Sequence, residues 1–193
     1  MTEGVLVRVR GKGTFVAERR VQSQLHLASF TQDMKARGHA PTTAVLRFEE
    51  ALPPPHVRDA LQLTPQDSAF SLRRLRLADG VPMALEASWY VARLLPGLRR
   101  EDAAGSLYEL FASRHGLVID KAEQTLTAVA ATAGHAHLLG VATGAPLLTF
   151  ERVASADGTP VEHTTSWYRA DRYSISMSLD RSSPLPRPTE GRP

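Results

Sequence analysis

Two apolar spacings alternate along this chain, one of about 3.6 residues and one of 2, and the switches between them mark out its elements. Val5–Val9 and residues 14–17 flank Gly11-Lys12-Gly13 and read as two short strands around a glycine-rich turn. Residues 30–38 predict a short helix stopped by Gly38, residues 43–52 a strand, and the proline-led residues 53–63 a helix. Residues 69–77 and 83–90 are strand-like runs separated by Asp79-Gly80, a strong hairpin signal. An amphipathic helix follows at residues 106–115 and a long strand at 117–131. A second hairpin spans residues 147–153 and 161–168 around Asp157-Gly158, and residues 172–179 suit a last strand. Beyond Asp180 the chain is Pro-rich and polar, which predicts disorder over residues 182–193.

The two hairpins are related to each other. ADGVPMALEASWY (residues 78–90) returns 78 residues later as ADGTPVEHTTSWY, with seven identities in thirteen positions. Upstream, Arg74 falls on Arg152 and Leu61 on Leu139. The expected fold is therefore α+β: a mostly antiparallel sheet with flanking helices, built from two internal helix–hairpin halves over residues 21–181.

Composition narrows the chemistry. The chain has 193 residues, 42% of them hydrophobic and 22% charged, an ordinary globular profile. It has no cysteine, which excludes disulfides, thiolate nucleophiles and Cys-ligated metals. No window approaches the roughly 18 apolar residues of a membrane span, and the first residues lack the design of a signal peptide, so a cytoplasmic protein without membrane contact is expected. Net charge is +3, carried mostly by Arg, with Lys only at positions 12, 35 and 121. Arg presents a planar fork of donors matched to carboxylate and phosphate. Neither a G-x-S-x-G elbow nor an H-E-x-x-H helix occurs, and Gly11-Lys12-Gly13-Thr14 lacks the spacing of a phosphate loop. His135 and His137 are two apart, a poor spacing for metal ligands on a helix. No catalytic residue, metal or cofactor is expected, and the chain is read as a non-enzyme.

The polar residues of the hairpins are the candidates for binding. Arg74 and Arg76 are two apart on a strand and project from one face, where two guanidiniums can receive a phosphate-like anion. Glu86 shares that face if the turn spans three residues and takes the other if it spans two. Ser106 and Tyr108 open the central helix, whose free N–H groups favour an anion. Glu162 and Tyr168 share a face in the second hairpin. The alternatives are a ladder of surface ion pairs, a simple helix cap at Ser106, and core packing for both tyrosines.

At the N-terminus, EGVLVRVRGKGTFVA (residues 3–17) resembles the wing of a GntR-family winged helix-turn-helix. The rest resembles the UTRA effector domain of the HutC subfamily. The shared pattern is SFTQDM (residues 29–34) with Gly38, Arg74-x-Arg76, Asp79-Gly80-x-Pro82, Glu86, Ser106-Leu107-Tyr108, and Pro160-Val161-Glu162 leading to Ser166-x-Tyr168-Arg169-x-Asp171-Arg172-Tyr173. The resemblance implies a chorismate lyase-like fold, a homodimer, and a ligand-sensing role in a transcription regulator, with a phosphorylated amino sugar as effector. It implies that backbone N–H groups of Phe30 and Thr31 meet the phosphate with Arg74, Ser106 and Tyr108. Arg76 and Glu86 would orient the ligand, and Glu162 and Tyr168 would meet the sugar hydroxyl or N-acyl side. His163 departs from the aromatic or aliphatic residue of that branch, which keeps urocanate-like, phosphonate-related and fatty-acyl effectors open beside the sugar. An enzyme of the chorismate lyase type is the remaining alternative. Residues 1–20 are expected to be a wing remnant and linker, in which Arg8, Arg10 and Lys12 touch DNA phosphates. The recognition helix is expected to be missing with the rest of the DNA-binding domain, roughly sixty residues in all, so DNA would be a partner only of the intact regulator.

Overall fold

The structure is a computed structural model. It describes residues 29–177, the backbone of three earlier strands, β1 (Val5–Val9), β2 (Gly13–Ala17) and β3 (Val21–Gln24), and the side chain of Val21. The predicted roles of Arg8, Arg10 and Lys12 and the disorder predicted for residues 182–193 lie outside the described residues, except that β1 and β2 pair antiparallel, Val5 with Ala17 and Val9 with Gly13.

α1 (Phe30–Ala36) begins at a capping box: Ser29 Oγ accepts from Gln32 N while the Gln32 side chain accepts from Ser29 N. Then come β4 (Pro41–Ala51), α2 (Pro55–Ala60), β5 (Ala69–Ala78) and β6 (Val81–Val91). Two short 3-10 turns lead to α3 (Leu107–His115). After it come β7 (Lys121–Ala130), α4 (Ala133–Leu139), β8 (Pro146–Ala156), β9 (Thr159–Arg169) and β10 (Tyr173–Ser176). Six strands form one antiparallel sheet in the order β4-β5-β6-β9-β8-β7. The last predicted strand stays outside that sheet. β10 pairs in parallel with β3, Tyr173 opposite Val21.

The duplication is larger than the hairpins. β4-α2-β5-β6 is followed by β7-α4-β8-β9, the same order displaced by one copy. Where the copies meet, Ala87 of β6 pairs with Thr165 of β9. These two are equivalents under the 78-residue repeat (87 + 78 = 165). A local two-fold axis therefore passes between them.

Both hairpins turn on two residues. Asp79 and Gly80 have φ of 51° and 77°, and Asp157 and Gly158 have 47° and 76°, as this turn type demands. A two-residue turn alone would set Glu86 opposite Arg73. A β-bulge intervenes: Leu77 pairs with Pro82 but Arg76 with Ala84, so Met83 is an extra residue and Arg74 faces Glu86. The second hairpin repeats the device with Val161.

Each sheet face has its own cover. On one, Val57 of α2 and Leu61 just after it pack on Ala69 and Val91, while Leu139 of α4 packs on Leu85 and Leu147. On the other, Leu107 and Phe111 of α3 pack on Phe70, Leu72 and Tyr90. Phe30 and Met34 of α1 join Val21, Phe150 and Tyr173. Burying each of the larger side chains is worth about 1.5–3 kcal/mol. The candidate site lies on this second face, between its two clusters.

Candidate functional site

Four rows of paired residues across β5, β6, β9 and β8 make the floor. They run Arg76–Ala84–Tyr168–Leu148, Arg74–Glu86–Ser166–Phe150, Leu72–Ser88–Thr164–Arg152, and, from β6, Tyr90–Glu162–Ala154. Because side chains alternate along a strand, all of these point to the same face. Phe30, Arg74, Arg76, Glu86, Ser106, Tyr108, Glu162 and Tyr168, eight of the nine ligand-binding candidates, line one pocket there. Thr31, the ninth, reaches it indirectly, accepting a 2.8 Å hydrogen bond from Arg76 Nη2 through its hydroxyl.

Three charges crowd one end. Arg74 Nη2 lies 2.9 Å from Glu86 Oε2, and Arg76 Nε lies 3.8 Å from the same oxygen. All three side chains are buried, Arg76 almost completely at 2% exposure. The Arg76 guanidinium also sits 4.7 Å over the Phe30 ring. Burial pushes the Glu86 carboxyl up, but Arg74 and Arg76 outweigh it and hold the group below its ordinary range. Burial likewise opposes charge on Arg74, yet Glu86 leaves its pKa raised, whereas at Arg76 burial wins. One carboxylate thus serves two guanidiniums. Arg74 Nε, Arg76 Nε and Arg76 Nη1 are buried with no hydrogen-bond partner among the described residues.

Glu162 organises the other end. Its carboxylate accepts from the hydroxyls of Tyr108, Tyr90 and Thr164, and Ser88 Oγ lies within hydrogen-bond distance of Thr164 Oγ1, at 2.8 Å. Burial and the Glu162 charge keep the Tyr108 hydroxyl protonated well beyond the usual tyrosine range. Ser106 precedes α3 without capping it; its Oγ lies 3.3 Å from Ser29 Oγ instead. Tyr168 packs against Tyr173, with ring centroids 4.2 Å apart.

The pocket also holds residues that the sequence reading missed, chief among them Tyr90, Gln124, Thr164 and Arg152. Arg152 was within reach of the repeat, being the equivalent of Arg74. His163 lies on the opposite face, where its Nε2 is 3.2 Å from Glu151 Oε1. The departure at that position therefore does not touch the pocket.

A network of buried carboxylates, guanidiniums and hydroxyls around an open cleft suits recognition of a small polar anion. The UTRA domain family matches residues 36–174. The chain is 34% identical over 185 residues to the HTH-type transcriptional repressor NagR of Bacillus subtilis, covering 95% of this chain and 76% of the relative. It is 30% identical over 183 residues to the mannosyl-D-glycerate transport/metabolism system repressor MngR of Escherichia coli, covering 93% and 75%. Among solved structures, PhnF from Mycobacterium smegmatis superposes with a TM-score of 0.80 at 27% identity, covering 91% of this chain and 78% of that one. The chain belongs to the UTRA-domain family, the ligand-binding domains of GntR-family, HutC-like transcription regulators.

Proposed function

We propose that this domain senses a phosphorylated amino sugar and that its occupancy modulates operator binding by the intact regulator. The observation that carries the reading is the Arg74–Arg76–Glu86 cluster. Two buried guanidiniums share one carboxylate and keep three N–H donors without acceptors. A buried charged donor left unsatisfied is costly, and a phosphate dianion supplies both the acceptors and the missing charge. Ser106, with Phe30 and Thr31 at the head of α1, completes the phosphate side. Tyr108, which the resemblance assigns to the phosphate, donates its hydroxyl to Glu162 and in this reading faces the sugar with Glu162 and Tyr168. The names of NagR and of the sugar-system repressor MngR fit this ligand class.

Occupancy has a route toward the N-terminal strands. Tyr173 lines the pocket, and its strand β10 is hydrogen-bonded to β3, the strand that follows the β1–β2 hairpin. In this reading, residues 1–20 join the sensor (residues 21–181) to a DNA-binding head, and two copies form the working homodimer. Ligand shifts the balance only by binding one arrangement of the heads better than the other.

The test is a thermal-shift series with glucosamine 6-phosphate, N-acetylglucosamine 6-phosphate and the unphosphorylated sugars. A ligand at 100 times its Kd adds about 2.7 kcal/mol, several degrees in a chain of this size. Equal shifts with and without phosphate would count against the arginine cluster as its receptor.

A further inference from the structure

The two hairpin turns share the sequence Ala-Asp-Gly and the same backbone, yet they are tied down differently. In the first, Asp79 grips the segment that leaves α1. Its N–H donates to Ala40 O at 3.0 Å, its Oδ1 accepts from Ala40 N at 2.8 Å, and its Oδ2 lies 2.6 Å from His39 Nδ1. In the second turn the polarity is reversed. Asp157 N donates to Asp120 Oδ2 at 3.3 Å, so an aspartate stands there where the first turn has a histidine.

The grip matters because α1 is a wall of the pocket. Phe30 and Asp33 line it, and Met34 is buried in the cluster with Phe30. A helix of seven residues is too short to hold itself, so its ends depend on what fastens them. His39 N still donates to Met34 O at 3.0 Å, so whatever holds His39 also holds the last turn of α1. The other charges of these segments have places of their own. Lys35 is exposed on α1, Arg37 pairs with Asp33 at 2.8 Å, Arg76 is buried beside Glu86, and β4 carries its charges in its second half. The Asp79 carboxyl is held below its ordinary range, first by the Ala40 N–H and then by the His39 bond, and so stays ionised well into acid.

We propose that His39 and Asp79 form a proton-responsive clasp that fastens the exit of α1 to the first hairpin turn, so that this wall of the pocket is held more firmly below neutral pH than above it. An imidazole changes charge between about pH 5 and 8. On the acid side the contact is an ion pair between imidazolium and carboxylate. As pH rises the proton leaves, and a neutral hydrogen bond remains. The two Ala40 bonds to Asp79 persist throughout, so the clasp loosens without opening. The second turn, with no imidazole in its bond, keeps the same hold across this range.

The experiment is amide hydrogen exchange at about pH 6 and about pH 8, corrected for intrinsic rates, on the wild type, His39→Gln and Asp79→Asn. Urea midpoints establish that each variant is folded; asparagine tolerates the positive φ of 51° at position 79. In the wild type, protection of residues 34–40 should fall about two- to threefold from the lower pH to the higher, the scale of a half-exposed ion pair. The Asp157 amide should stay level as an internal control. His39→Gln should abolish the difference between the two pH values, and Asp79→Asn should abolish it while lowering protection at both. Level protection in the wild type, a difference that survives in His39→Gln, or an equal fall at Asp157 overturns the proposal. Should one variant fail to fold, the other decides together with the Asp157 control. No ligand enters the measurement, so its outcome is independent of the phosphate reading.

Discussion

At the scale of single residues, the site is governed by how one carboxylate is shared. Glu86 compensates two buried guanidiniums, so Glu86→Gln leaves both without their partner. Breaking a buried ion pair from one side costs about 3–5 kcal/mol, and urea denaturation of the variant should show a loss of that size. The pH dependence has a definite direction. Because the folded carboxyl is held below its ordinary value of 4.5, its stabilisation is complete above that value and disappears as pH falls through the depressed one. The wild type should therefore lose stability to acid below about pH 4.5 more steeply than Glu86→Gln, as read by melting temperature against pH. Arg76→Gln removes two donors that have no protein acceptor, Nε and Nη1, together with the Nη2 bond to Thr31. It should cost the phosphorylated ligand about 1.5–3 kcal/mol of binding, roughly tenfold or more by calorimetry, and unphosphorylated sugar far less.

At the scale of elements, the hairpins decide which side chains enter the pocket. Gly80 and Gly158 sit at φ of 77° and 76°, and nothing lies within 4 Å of a Cβ added at either. Gly80→Ala and Gly158→Ala should each cost about 1–2 kcal/mol in urea denaturation, since the penalty is conformational and not a clash. The bulges at Met83 and Val161 matter as much as the turns. A side chain changes face with every one-residue shift of register, and without the Met83 bulge Glu86 would oppose Arg73. No local composition marks a bulge of this kind. The sequence pattern therefore left open whether Glu86 joined Arg74, and a three-residue turn, one of its two options, is not how the chain solves the problem.

At the scale of the molecule, the pocket joins parts that are distant along the chain. Its walls come from both copies of the repeat, from α1 and α3, and from β10. Val21 of β3 is buried with Phe30, Met34 and Tyr173, so the first segment of the domain packs against the pocket wall. Saturating phosphorylated ligand should slow hydrogen exchange at the β3–β10 pair, read as amide protection of residues 21–24 and 173–176. Exchange at the outer edge of β4, none of whose residues line the pocket, should change little.

The amino-acid sequence by itself determined the fold class, the repeat and its family, because period, turn chemistry and internal identity are local properties. Alternation placed Arg74 with Arg76 and Glu162 with Tyr168; the ordered motifs added Phe30, Ser106 and Tyr108. Only the tertiary structure decided which strands are neighbours and which residues share a row. It set Arg152 beside Gln124 and Glu162, turned His163 to the opposite face, and moved the last strand out of the main sheet to pair with β3. The reason is physical: strand order and bulge position are chosen by burial of whole faces, summed over residues far apart in sequence, and leave no signature at the positions they move.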